Sequence, residues 1–222
     1  MNYPGGKGKI YQKLINLIPP HDVYIETHLG GGAIMRNKRL AKRNIGIDIH
    51  RRVIDMWKET NPSNVELIDM DAVSFLKSYS FTGKEFVYCD PPYLRNTRRK
   101  SSKLYKHEYT EYQHIALLEI IKSLPCMVMI SGYESILYKE YLKNWYTRSF
   151  RACCHHGVAT EWVWMNYPTP VELHEYSYLG NSFRERERIK RKTYRWKRKL
   201  ESMPILEKQA LLSAMHEAIN KN

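Results

Sequence analysis

The chain has 222 residues, 43% of them hydrophobic, and this composition excludes an intrinsically disordered protein. Its formal net charge of +13 indicates a polyanionic partner, with nucleic acid as the leading candidate. No segment approaches the ~20 apolar residues of a membrane span, and we expect no signal peptide at the start. The four cysteines lack CxxC spacing, so we expect reduced thiols in a cytoplasmic protein. We expect no metal site, because four adjacent residues on an extended chain, Cys153-Cys154-His155-His156, alternate faces and cannot surround one ion.

A glycine-containing segment begins the chain. Tyr3-Pro4-Gly5-Gly6-Lys7 precedes a predicted helix that runs to about Ile18 and ends at two prolines. The paired glycines allow the backbone to approach a ligand closely, and Lys7 adds a positive charge. A flexible N-terminal turn is the alternative interpretation.

The next predicted strands end in residues suited to a nucleotide-type cofactor. The first, Val23 to Ile25, is followed by Glu26, by the triple glycine at 30–32 and then by a helix. Asp48 ends the second strand 16 residues after the glycines, where a carboxylate can accept two ribose hydroxyls or cap the next helix. Asp71 follows the third strand and can either contact an adenine edge or cap a helix.

The fourth predicted strand, Phe86 to Cys89, ends at Asp90-Pro91-Pro92-Tyr93. Neither proline can donate a hydrogen bond to a neighbouring strand, so the acid and the aromatic ring are held at the carboxyl end of the strand. Open α/β sheets bind their ligands at that edge. A carboxylate, a stiff turn and a flat ring suit the binding of a planar amine, and a simple surface turn is the alternative.

Residues 94–110 form a basic, tyrosine-containing segment with little periodicity. We expect a mobile loop beside the catalytic residues that a phosphate backbone orders, with a merely solvated loop as the alternative. Further strands are predicted at 126–131, 145–150 and 160–167. The residues assigned to nucleic-acid contact in the loop are Arg95, Arg98, Arg99, Lys100 and Lys103.

The composition changes near Asn181, which predicts a first domain at 1–178 and a basic helical extension at 179–222. Ser182 is the expected N-cap of a helix that ends near Ser202. Residues 184–199 include ten Lys or Arg and only two Glu, which favours a nucleic-acid arm over a solvated helix. A last amphipathic helix after Pro204 is predicted to bury one face. The arm residues singled out are Arg184, Arg188, Arg191 and Arg195.

Strands and helices alternate along the chain, which predicts an α/β fold with a doubly wound sheet. The blocks 3–7, 26–32, Asp48, Asp71 and 90–93 resemble, in kind and order, those of the Dam-like N6-adenine DNA methyltransferases, particularly short phage- or prophage-type members. The resemblance covers residues 1 to about 168. It implies a Rossmann-like sheet of seven strands, the last antiparallel, flanked by helices and using S-adenosylmethionine (SAM).

The resemblance also assigns roles to individual residues. The N-terminal segment would close over the methionine end of SAM, which would lie on the glycine loop while Glu26 holds its ammonium. Asp48 would take the ribose hydroxyls and Asp71 the adenine amine. The cofactor residues are therefore Tyr3, Gly5, Gly6, Lys7, Glu26, Gly30, Gly31, Gly32, Asp48 and Asp71, and the catalytic residues are Asp90, Pro91, Pro92 and Tyr93.

The family usually carries a target-recognition insert between Asp71 and the fourth strand, and this chain has only about fifteen residues there. We therefore expect a short or relaxed recognition sequence, because phosphate contacts position a protein on DNA without specifying its sequence. The resemblance implies DNA adenine N6-methylation by a monomer or weak dimer. An RNA adenine methyltransferase and a non-catalytic nucleic-acid-binding protein are the alternatives.

Overall fold

The computed structural model describes residues 6–60, 64–98, 107–154 and 157–220. The chain divides into two compact units, Met1–Glu175 and Tyr176–Asn222. The first unit contains the sheet and the candidate site, and the second consists of two helices.

The first unit is built on a sheet of seven strands in the order β3-β2-β1-β4-β5-β7-β6. Only β7 runs antiparallel to the other described strands, and it pairs with both β5 and β6. This arrangement confirms the predicted Rossmann-like sheet with an antiparallel last strand. The strands are β1 Val23–Glu26, β2 Arg43–Asp48, β3 Glu66–Asp69, β4 Glu85–Cys89, β5 Met127–Gly132, β6 Tyr146–Cys154 and β7 Gly157–Met165.

Short helices connect the strands of the first unit, with caps that the local sequence provides. Thr110 and Gln113 form a reciprocal capping box at the start of α5, and Ser135 caps α6. The predicted N-terminal helix is shorter than expected. The described helices of this unit are α1 Tyr11–Ile15, α2 Ala33–Asn37, α3 Arg51–Thr60, α4 Ala72–Ser78, α5 Glu111–Ser123 and α6 Ile136–Tyr141, with a 3₁₀ turn at Arg95–Thr97.

The central strands are buried on both faces, as expected for a parallel sheet covered by helices. Ile25, Ile45, Val87 and Val128, one from each of β1, β2, β4 and β5, are fully buried in the main hydrophobic cluster. Strand order reverses between β1 and β4: β2 and β3 lie on one side, and β4 and β5 on the other. Such a switch point opens a crevice at the carboxyl ends of the strands.

The second unit contains α7 Phe183–Ser202 and α8 Ile205–Asn220. Ser182 accepts a hydrogen bond from the Glu185 amide, so the predicted N-cap is present. The prediction that α8 buries one face is wrong, because none of its described residues is buried and Leu206 is 80% exposed. No helix in the described ranges is long and apolar enough to cross a membrane.

Candidate active site

The glycine loop and the Asp90 turn lie side by side at the switch point. Glu26 and Tyr88, near the ends of β1 and β4, are register partners. The Thr27 amide extends this pairing by donating to the Tyr88 carbonyl at 3.0 Å. Because the two strands are parallel neighbours, the segments that follow them emerge at the same edge of the sheet.

Asp90 lies at this edge with a side chain that is 17% exposed. Ser131, at the end of β5, donates its hydroxyl to Asp90 Oδ1 at 2.7 Å. The Tyr88 and Ser131 hydroxyl oxygens are 2.9 Å apart, so a Tyr88 donor completes a chain from the core to the carboxylate. Two buried hydroxyls therefore orient Asp90.

Lys7 forms an ion pair with Asp90 across the crevice. Its Nζ lies 2.6 Å and 2.7 Å from the two carboxylate oxygens, and Lys7 is only 4% exposed. Glu161, on β7, lies 3.8 Å from the same ammonium. Burial opposes the charged form, but attraction to Asp90 and Glu161 raises the pKa of Lys7 above its ordinary value. Lys7 was predicted to close over the cofactor, and the structure instead pairs it with the proposed catalytic acid.

Tyr93 is covered rather than open. The side chain is 6% exposed, and its hydroxyl donates to Glu161 Oε2 at 3.3 Å. The Tyr133 ring packs edge-on at 4.6 Å between centroids, and Lys7 Nζ lies 4.9 Å from the centroid of the Tyr93 ring. The expectation of a ring face ready to stack on a base is therefore corrected: polar and aromatic side chains of the crevice cover it.

Glu26 is the last residue of β1, at the switch point, and is 3% exposed. Its Oε2 accepts hydrogen bonds from the Tyr24 hydroxyl at 3.0 Å and from the Met35 amide at 3.1 Å. Burial raises the pKa of Glu26 to about 8. A buried carboxyl of this kind would be ionised by an arriving cation.

The glycine loop is shaped by Asp48 and Trp57. Asp48 Oδ2 accepts the Gly30 amide at 2.9 Å, and the Trp57 indole donates to the Gly30 carbonyl at 2.9 Å. Gly32 has φ of 56°, and a Cβ there would overlap the Trp57 ring. A glycine at position 32 is therefore required by packing within the protein, whether or not a ligand approaches it.

Asp48 and Asp71 both lie at the carboxyl edge, as predicted. Asp48 Oδ1 also accepts the His50 amide at 2.8 Å, yet a carboxylate retains acceptor capacity beyond two hydrogen bonds. Asp71 is the N-cap of α4 and accepts the Ser74 amide, so the helix-capping alternative is observed.

Two apolar residues that the sequence analysis missed flank these acids. Ile49 directly follows Asp48 and is 46% exposed, while Met70 directly precedes Asp71 and is 40% exposed. The Met70 amide donates to the Asp48 carbonyl at 3.3 Å, which joins the two strand ends. Exposed apolar side chains next to two carboxylates suit a flat ring that carries hydroxyl and amine groups.

The assignment of Arg98 to phosphate contact is corrected. Arg98 donates to both oxygens of Glu108, at 3.0 Å and 2.5 Å, and also to the Tyr93 carbonyl. Both side chains of the ion pair are largely buried, so the Arg98 guanidinium holds the turn that ends at Tyr93 in place. Nearby, Tyr109 contacts His28 of the glycine loop, with 2.9 Å between the hydroxyl oxygen and Nε2.

Some residues that the sequence analysis assigns to cofactor or nucleic-acid binding are exposed, and others lie outside the described part of the chain. Gly6 and Arg95 are described and exposed. Within the described residues, no group of three or more His, Cys, Asp or Glu side chains is arranged to hold a metal ion. The assigned residues outside the described ranges are Tyr3, Gly5, Arg99, Lys100 and Lys103.

Helix α7 presents most of its basic residues to solvent. None of its described residues is buried, and Tyr194 and Trp196 are 61% and 42% exposed. Exposed aromatics among cations are typical of nucleic-acid-binding surfaces. The exposed residues include the four assigned arginines Arg184, Arg188, Arg191 and Arg195.

The strand order, the antiparallel β7 and the crevice at the β1/β4 switch point define a Rossmann-like methyltransferase fold. Residues 60–156 match the family model "D12 class N6 adenine-specific DNA methyltransferase". This match confirms the predicted family resemblance over those residues. It includes Asp71 and the 90–93 turn, but it excludes Lys7, the glycine loop and Glu161. No curated protein matches the chain.

Several solved structures are similar to this chain at low sequence identity. An rRNA methylase from Streptococcus thermophilus is 13% identical, with 74% of this chain and 97% of that chain covered and a TM-score of 0.48. TrmK of M. capricolum, in complex with S-adenosyl-homocysteine, is 11% identical, with 96% and 97% covered and a TM-score of 0.47. A putative methyltransferase from Streptococcus mutans, in complex with SAH, is 13% identical, with 74% and 98% covered and a TM-score of 0.47.

Proposed function

We propose that this protein transfers a methyl group to the exocyclic N6 amine of adenine in DNA. The observation that carries the proposal is the state of Asp90. Its carboxylate is oriented by Ser131 and already holds a nitrogen donor, the Lys7 ammonium, beside the ring of Tyr93. A site that binds N–H groups between a carboxylate and an aromatic ring has the chemistry that an adenine amine requires.

The crevice also has residues suited to SAM. Asp48 would accept the ribose hydroxyls, and the exposed side chains of Ile49 and Met70 would pack against the adenine ring. Glu26 would hold the ammonium of the methionine end, and Asp71 would accept from the adenine amine. When bound, SAM supplies the methyl group and leaves as S-adenosylhomocysteine.

Asp90 and the Pro91 carbonyl would each accept one hydrogen from the adenine N6 amine. Accepting both hydrogens draws the nitrogen lone pair out of conjugation with the ring and points it towards the methyl donor. The nitrogen would then bond to the methyl carbon as the sulfur–methyl bond of SAM breaks, and one N6 proton would leave to Asp90 or water. Positioning of this kind supplies up to ~7–11 kcal/mol of the barrier reduction.

The target adenine must leave a duplex to reach Asp90, because the amine is not accessible to the crevice within the stack. The basic helix α7 and Arg95 would bind the phosphate backbone and supply affinity without sequence specificity. The short connection between Asp71 and β4 supports a short or relaxed recognition sequence. Stacking by Tyr93 would require the side chains that cover its ring to move.

The test is transfer of a tritiated methyl group from SAM to defined DNA duplexes, DNA single strands and RNA. We expect Asp90→Ala to abolish transfer to DNA adenine while SAM binding, measured by calorimetry, persists. Asp55→Ala is the matched control, because Asp55 is a surface carboxylate on α3. If Asp90→Ala transfers the methyl group at the wild-type rate, the mechanism is ruled out. If only RNA is labelled, the substrate is RNA and not DNA.

A further inference from the structure

Lys7 occupies the position that the mechanism assigns to the adenine amine. Its ammonium contacts both oxygens of Asp90 and lies against the Tyr93 ring. An incoming amine needs the same carboxylate and the same ring. Lys7 and the adenine amine therefore cannot make these contacts at the same time.

A second carboxylate lies within reach of the Lys7 side chain. Glu161 Oε2 is 3.8 Å from Lys7 Nζ, which is an ion-pair distance but longer than a hydrogen bond. Glu161 is 8% exposed and accepts from the Tyr93 hydroxyl, so it belongs to the wall of the crevice. A buried ammonium that loses its partner is strongly destabilising unless another anion receives it.

We propose that Lys7 is a displaceable occupant of the acceptor site and that Glu161 receives its ammonium when adenine enters. This inference rests on the proposed function of Asp90. Adenine replaces Lys7 on Asp90, and Lys7 moves the short distance to Glu161. The crevice keeps the same net charge throughout, so no proton transfer is needed for the exchange.

The exchange makes Glu161 a positioning residue for Lys7. Without the Glu161 charge, Lys7 stays on Asp90 and the competent fraction of the enzyme falls, which raises the apparent KM for DNA by the same factor. Once adenine is bound, the reacting atoms are unaffected, so kcat changes little. Removing Lys7 as well eliminates the competitor and restores the KM.

The experiment compares steady-state methylation by wild type, Glu161→Gln and the double variant Lys7→Met/Glu161→Gln. We expect Glu161→Gln to raise the KM for DNA about tenfold with a similar kcat, and Lys7→Met to restore the KM in the double variant. Lys58→Met/Glu161→Gln is the matched control, because Lys58 is an exposed lysine on α3. This control should keep the raised KM.

A purely structural role for the two residues gives the opposite pattern, in which the double variant is no better than Glu161→Gln. That result, or an unchanged KM in Glu161→Gln, overturns the displacement. Thermal melting checks that each variant folds. If Glu161→Gln does not fold, Lys7→Met alone decides: a KM at or below the wild-type value supports displacement, and a higher KM refutes it. Absence of wild-type transfer to any adenine refutes the proposed function instead.

Discussion

Replacement of Glu26 by glutamine should remove a pH dependence from SAM binding. Glu26 is 3% exposed, and burial raises its pKa to about 8. The free protein therefore carries a proton on this carboxyl at neutral pH. Binding the cofactor ammonium requires the ionised carboxylate, so the proton must leave as the cofactor binds.

The magnitude follows from that pKa. Well below pH 8, the ionised fraction of Glu26 falls about tenfold for each pH unit, so the association constant falls equally, or ~1.4 kcal/mol. Because the pKa of Glu26 is raised in the free protein, the contribution of Glu26 to SAM affinity increases with pH towards 8 and levels off above it. Glu26→Gln has no such proton to release.

Isothermal titration calorimetry from pH 6 to 8.5 measures the effect. The ratio of wild-type to Glu26→Gln association constants cancels the titration of the cofactor's own amine. Two buffers with different ionisation enthalpies give the number of protons released. Glu66→Gln serves as a control, because Glu66 is a surface carboxylate paired with Arg43. A ratio that does not change with pH, with no proton release, would refute the role of Glu26.

Two other substitutions test the orientation of Asp90 and the cause of acid sensitivity. Ser131→Ala removes a charge-assisted hydrogen bond of ~1.5–3 kcal/mol to Asp90, so kcat should fall about ten- to a hundredfold in single-turnover assays with SAM affinity unchanged. Burial lowers the pKa of the fully buried His114 to about 4, so the unfolded state gains a proton below pH 6.5 and folding weakens as pH falls. Urea unfolding at pH 7.5 and 5.5 should show His114→Gln losing ~1.4 kcal/mol less than wild type. Equal losses in the two proteins would contradict this account.

The strands and their order of appearance could be predicted because each is a local apolar run bounded by residues that end it. Cys89 is fully buried, and the prolines that follow stop β4 where expected. Ser182 caps α7 as predicted for the same reason, since a cap depends on neighbours along the chain. Helix α8 differs: its apolar periodicity predicts a buried face, but none of its described residues is buried.

Contacts between distant segments account for what the sequence analysis missed. Lys7 and Asp90 are 83 residues apart in the sequence, and no sequence pattern links the two positions. Arg98 was assigned to phosphate because its neighbours are basic, but its guanidinium pairs with Glu108 inside the protein. The sequence predicts β7 from its aromatic residues, and no pattern in it indicates that Glu161 is part of the crevice.

The amino-acid sequence by itself determined the alternation of strands and helices, the glycine loop after β1 and the carboxylates at the strand ends, because these depend on local geometry. The tertiary structure alone decided that Lys7 lies on Asp90, that Ser131 orients this acid and that Tyr93 is covered. The physical reason is that the charge and exposure of a side chain depend on which distant segments fold against it, and burial then decides which carboxyl or ammonium keeps its charge.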